Sequence, residues 1–195
     1  RPPVTVPPTP SDRIAVVESV IRGRRTCLQV DPDRRVERDV VAELCDLATW
    51  APNHRRTEPW RFAAFDGDGR ERLGDCLADA LAARGAPPER VTKTRRKYLR
   101  APVVVVVATS LGVDEVDTAE RRDAVAAGVQ NLLLAATARG LASFWSSVPV
   151  PDASELLDLC GFESGARAIA AIYLGHPTGE CPPPPRRRAA VGWIS

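Results

Sequence analysis

The sequence lacks methionine altogether, holds two histidines, His54 and His176, and is poor in aromatics, which make up 5% of its 195 residues. No apolar stretch approaches the roughly 20 residues a membrane-spanning helix requires. Even Pro102 to Ala108 falls far short, so no membrane partner is expected. Neither charge sign is in real excess. With 27 basic and 25 acidic residues the net charge is +2, which gives no general pull toward nucleic acid. The five cysteines (Cys27, Cys45, Cys76, Cys160 and Cys181) form no CxxC pair. Tetrahedral metal sites usually show close cysteine or histidine ligand pairs, and none occurs here, so no metal site is expected. An odd, scattered cysteine count points instead to reduced thiols and a cytoplasmic location. The GxSxG elbow, the P-loop and a GxGxxG after a strand are all missing, which removes the local signatures of several hydrolase and nucleotide-binding classes. The opening RPPVTVPPTP is read as a processed or trimmed end. It has no signal-peptide core, and its prolines favour an extended arm over residues 1–10.

What remains is the make-up of one globular domain over 11–195, with a C-terminal arm from about 180. The hydrophobic share is 44% and the charged share 27%. Apolar spacing predicts a helix over 11–24, capped by Ser11 or Asp12, and a second over 37–50 with a stripe of Val40, Val41, Leu44, Leu47 and Ala48. A short strand follows over 60–65, then a helix over 70–84. A basic stretch with Arg90, Lys93, Arg95, Arg96, Lys97 and Arg100 reads as a solvated helix face. Five consecutive valines (Val103–Val107) suit a strand buried on both faces. A long helix over 117–139, a strand over 141–147, a helix over 152–160 capped by Asp152 and a strand over 166–174 complete an α+β pattern. Trp193 and Ile194 lie beyond Pro182–Pro185, and such an arm would bury its end best against another subunit.

Two places could carry chemistry. Arg24-Arg25-Thr26 follows the first helix, where guanidiniums could grip a phosphate or a ring carbonyl; a basic helix terminus alone would look the same. Trp145-Ser146-Ser147 could supply an aromatic wall and hydroxyls, or be an edge strand with a packed tryptophan. His54, in APNHRRTEPWRF, has no local nucleophile or metal partner. Few acid–base groups suit a reaction carried by a bound cofactor.

IRGRRT, LATWAPNHRRTEPWRF, RAPVVVVVA, GVQNLLLAATARGLASFWSS and AIYLGHP occur in this order, and together they resemble the nitroreductase family of FMN-dependent oxidoreductases, in particular its small members. The resemblance implies a sandwich of helices around a central mixed β-sheet and an intertwined homodimer with FMN at the subunit interface. It implies ping-pong hydride transfer from NAD(P)H through FMN to a small-molecule acceptor such as a nitro compound, quinone or enone, with no side chain doing obligatory covalent chemistry. Carried over by position, Arg24, Arg25 and Thr26 are the first FMN-contacting run, and His54 contacts FMN. Trp50 reaches the flavin of the partner subunit, and Trp145, Ser146 and Ser147 line it. At Trp50 and Ser146 a small member of the family has arginine. Ala135 to Gly140 matches a nicotinamide-nucleotide stretch, and Arg187 or Arg188 resembles a tail arginine that grips the FMN phosphate in larger relatives. A flavin-binding or sensor protein of the same fold without NAD(P)H turnover is the alternative, and a polyanion-binding protein using the basic stretch is a third reading.

Overall fold

The computed structural model describes residues 9–194. In chain order the elements are α1 (Pro10–Gly23), α2 (Arg38–Ala48), a 3-10 turn (His54–Arg56), β1 (Trp60–Asp66), α3 (Gly69–Ala83), α4 (Pro88–Lys97), a second 3-10 turn (Tyr98–Arg100), β2 (Val103–Thr109), α5 (Glu115–Ala138), β3 (Ala142–Ser146), α6 (Ser154–Cys160) and β4 (Arg167–Gly175). The arm expected over 1–10 lies outside the described residues except at its end. There Thr9 caps α1, its hydroxyl accepting from the Asp12 N–H while the Asp12 carboxylate accepts from the Thr9 N–H. Pro10 takes the first helical position, where its missing N–H costs nothing. The cap is thus Thr9, not Ser11 or Asp12. Asp152 likewise does not cap α6, whose N-cap position is Ala153.

The sheet has four strands in the order β1-β2-β4-β3, and every strand pair is antiparallel. The parallel component of the expected mixed sheet comes down to one isolated bridge, between Thr26 and Ser143. β2 is buried along its whole length, as the valine run requires. Val104, Val106 and Ala108 face one core with Leu73, Leu77, Tyr98, Leu156 and Tyr173, while Val103, Val105 and Val107 face the other with Leu44, Val125, Val129, Leu132 and Ile172. Helices α3, α4 and α6 cover the first face, and α2 and α5 the second. A register shift opposite Val107 and Ala108 marks a bulge in the β2–β4 pairing.

Gly128 lets the second layer close. A β-carbon there would stand 2.6 Å from the Ala48 carbonyl oxygen and 2.8 Å from Trp60 Nε1, so only glycine allows α2 and β1 to pack onto α5. Arg95 ties α4 to α3 through Asp75 and Asp79, which takes one arginine out of the expected free basic face. The apolar stripe of α1 behaves differently from the rest. Ile14, Val17 and Ile21 are all exposed and α1 has no buried residue. No helix among the described residues is long and apolar enough to cross a membrane.

Two of the five cysteines depart from the expected free thiols: Cys27 and Cys181 form a disulfide. Their sequence separation is 154 residues, so spacing could not reveal the pair. Backbone pairing of the two segments creates it. Cys45, Cys76 and Cys160 remain free, and burial pushes the Cys45 thiol up to about 11 and the Cys160 thiol up to about 12.

Candidate cofactor site

Gly23 ends α1, and the chain turns to run beside β3. Thr26 pairs with Ser143, and the Cys27 N–H donates to the Ser143 carbonyl at 3.0 Å. Arg24, Arg25 and Thr26 are therefore fixed along the strand that carries Trp145 and Ser146, which joins two of the sequence-predicted segments. The two arginines differ. Arg25 Nη1 donates to the carbonyls of Arg22 at 2.6 Å and Arg24 at 3.0 Å, closing the end of α1. The Arg24 side chain has no hydrogen-bond partner among the described residues and stays available. Thr26 is exposed, and Trp145 presents 38% of its surface. Ser146 Oγ donates to the Ser147 carbonyl at 3.3 Å. Ser143, 2% exposed, has an Oγ with no partner among the described residues. A buried hydroxyl left unbonded carries a cost that an incoming polar group would relieve.

The second segment is built on strain. Arg55, Arg56 and Glu58 have φ of 56°, 51° and 46°, left-handed backbone in residues that are not glycine. Each costs about 1–3 kcal/mol and persists only where the surroundings impose it. Asn53 supplies part of that constraint. Its Oδ1 accepts from the Glu58 N–H at 2.9 Å, and its Nδ2 donates to Thr57 Oγ1 at 3.1 Å and to the His54 carbonyl at 3.3 Å. The clamp presents His54 outward, with Nε2 4.0 Å from Glu120 Oε2 of α5. Trp50, just past the end of α2, is 79% exposed. Below the loop, Arg121 holds the first turn of α5 by donating to Ser110 Oγ, the Leu111 carbonyl and the Asp117 carboxylate. That guanidinium, with the Val113 N–H, keeps the buried Asp117 carboxyl below the usual carboxylate range.

Sheet order separates these segments. The Asn53–Glu58 loop leads into β1 at one edge, and Arg24–Thr26 flank β3 at the other. Register offsets them along the sheet too: Trp60 lies level with Thr109 and Arg167 at the start of β4, while Ser146 lies opposite Ala171 at its middle. Three inter-strand steps intervene, about 14 Å at the usual spacing. The chain brings Arg24–Thr26 to Trp145–Ser147, and Trp50 to His54, but keeps the two groups apart.

Two other expectations land elsewhere. Arg187 and Arg188 lie exposed in the extended tail. Arg139, from the stretch Ala135–Gly140, joins Arg34, Arg35 and His176 around a separate open cavity of about 630 Å³. Sequence reading missed Ser143 and Glu120, and took Asn53 as a turn residue beside His54 without its clamp. Only Asn53, next to Pro52, carried a local signal.

Comparison with known proteins agrees with this architecture. YdjA of Escherichia coli strain K12, which carries an NAD(P)H nitroreductase name, is 28% identical over 65% of this chain and 70% of its own length. The 5,6-dimethylbenzimidazole synthase of Rhodospirillum rubrum is 30% identical over 82% of this chain and 81% of its own. The crystal structure of a nitroreductase with bound FMN from Bacteroides fragilis superposes with a TM-score of 0.75 at 18% identity, covering 92% of this chain and 98% of that one. The profile of the Nitroreductase family matches residues 21–176, and the chain belongs to that family.

Proposed function

We propose that the chain is an FMN-dependent NAD(P)H oxidoreductase acting as a homodimer. In this reading Arg24, Arg25, Thr26, Trp145, Ser146 and Ser147 of one chain hold a flavin that is completed by Trp50 and His54 of the partner subunit. The observation that carries the reading is the separation of the two groups on opposite sheet edges, each open to solvent, since two copies can bring them together where one cannot. The exposed apolar stripe Ile14, Val17 and Ile21 on α1, with exposed Trp50, Trp193 and Ile194 elsewhere, supports a second copy, because large apolar side chains left open in such number are normally covered.

The residues fit such a cofactor. Arg24 offers an unpaired cation for a phosphate or a pyrimidine carbonyl, and Thr26 a hydroxyl. Trp145 gives a half-exposed aromatic face, and Ser143 a buried hydroxyl without a partner. FMN held there would supply hydride transfer between NAD(P)H and a second substrate. The protein's share is position and polarity: His54 donates a hydrogen bond, and Arg25 keeps the end of α1 closed so that Arg24 is aimed. The names borne by YdjA and the FMN-bound Bacteroides fragilis protein support donor and cofactor, while the synthase name shows that the family scaffold serves more than one chemistry.

The test is anaerobic. The protein is loaded with FMN and mixed with NADH or NADPH, and loss of the oxidised flavin band followed by reoxidation by a nitro compound, quinone or enone is expected. A protein that takes up no FMN ends the proposal. One observation favours the alternative of flavin binding without turnover: Ser146 puts no positive charge beside the ring, where the resemblance placed an arginine. Bound flavin that stays oxidised under both nucleotides would select that alternative.

A further inference from the structure

The Cys27–Cys181 bond is the last rung of a ribbon that ties the C-terminal segment to the cofactor run. The Asp31 N–H donates to the His176 carbonyl at 3.0 Å, Val30 and Pro177 form an antiparallel bridge, and the Thr178 N–H donates to the Gln29 carbonyl at 2.9 Å. This pairing brings the Cα atoms of Cys27 and Cys181 to 6.1 Å, a span a disulfide bridges without backbone movement. Cys27 is buried and locked to β3 through Ser143, one residue from Thr26. Cys181 is half-buried and opens the arm Pro182–Pro185, Arg186–Arg188 and Trp193-Ile194. Beyond Thr178 no backbone hydrogen bond holds that segment among the described residues, so the disulfide alone fastens the arm's root.

We propose that Cys27–Cys181 is a redox-controlled clasp. Closed, it fixes the root of the arm beside the residues proposed to grip the cofactor; opened by a dithiol, it frees the arm and loosens both that run and the flavin. One thiolate of the dithiol attacks the more accessible Cys181 sulfur, the S–S bond breaks, and Cys27 departs as a thiolate that takes up a proton. The second thiol then displaces Cys181 from the mixed disulfide. Both cysteines end as thiols, and the dithiol, giving up two electrons, becomes a cyclic disulfide. The clasp stands on the ribbon and the bond; its effect on flavin rests on the proposed function.

The experiment uses the full chain, purified without reductant and then treated with dithiothreitol. Alkylation after denaturation should label three cysteines before reduction and five after. Amide exchange at Asp31 and Thr178 should quicken at least tenfold on reduction, and the FMN dissociation constant should rise at least tenfold. Cys181→Ser should show the reduced behaviour with or without dithiothreitol, while Cys45→Ser should respond like the parent. Five labelled cysteines in the unreduced protein, or exchange and FMN affinity unmoved by reduction, would overturn the clasp. Quickened exchange in a chain that binds no FMN in either state would keep the clasp and remove the cofactor reading.

Discussion

His54 Nε2 lies 4.0 Å from Glu120 Oε2, across the gap between the strained loop and the N-terminal half of α5. Among the described residues the ring has no nucleophile to serve, which favours hydrogen bonding over proton abstraction as its proposed role. His54→Gln keeps a donor at a similar reach. Flavin affinity and turnover should stay within about tenfold of the parent, the range of one neutral hydrogen bond. FMN titration and steady-state reduction of a quinone measure both. A loss above a thousandfold in turnover with affinity intact would make His54 an essential base.

Arg24 and Arg25 should separate by readout. Arg24→Ala removes an unpaired guanidinium and should weaken FMN by about 1.5–3 kcal/mol, or about ten- to 150-fold, with little change in melting temperature. Arg25→Ala removes the donor to the Arg22 and Arg24 carbonyls, so its first effect should be on the stability of α1. Titration and thermal melts of both variants decide; equal losses of affinity would show that both arginines touch the cofactor.

These assignments show which features local sequence encodes. Val103–Val107 could be read because a strand buried on two faces must be apolar at every position, and the two cores demand just that. Arg24–Thr26 and Trp145–Ser147 could be read as motifs, but not as neighbours, since the bridge from Thr26 to Ser143 joins residues 117 apart by number. The opposite-edge placement of His54 depends on strand order, which is set by nonlocal pairing. The left-handed Arg55, Arg56 and Glu58 left no mark because the usual marker of positive φ is glycine or asparagine. Thr9 was hidden by Ser11 and Asp12, equally good caps by type, and decided by Pro10.

Gly128→Ala should destabilise the chain by about 1–3 kcal/mol, the usual cost of an overpacked core. The new methyl would press on the Ala48 carbonyl and the Trp60 indole, and neither can retreat without shifting α2 or β1. Urea unfolding reads the loss, and near-ultraviolet circular dichroism reads the change around Trp60. A variant as stable as the parent would mean that α2 slides freely on α5.

Asp117 should impose an acid limit. Its carboxyl is held below the ordinary range by the Arg121 guanidinium and by the Val113 N–H. With the folded value depressed, the stabilisation is complete above the unfolded value near 4, about 3.9 for aspartate, and is lost as pH falls through the folded one. Melting temperature should therefore drop below about pH 4, and Asp117→Asn should start lower at neutral pH and flatten that part of the curve. Parallel curves for the two proteins would remove Asp117 from the acid response.

Dimerisation should need both the α1 stripe and the tail. Ile14, Val17 and Ile21 are exposed along α1, and Trp193 and Ile194 lie fully open at the end of the arm. Burying an isoleucine is worth about 1.5–3 kcal/mol, and a charge in its place adds a desolvation cost. Ile21→Glu and removal of the residues after Pro182 should each shift sedimentation toward monomer at micromolar concentration. Flavin affinity should fall with the fraction of dimer, because the proposed site needs Arg24 of one chain and His54 of the other. A monomer that keeps full flavin affinity would contradict the shared site, and a truncated chain with unchanged association would confine the interface to α1 and its neighbours.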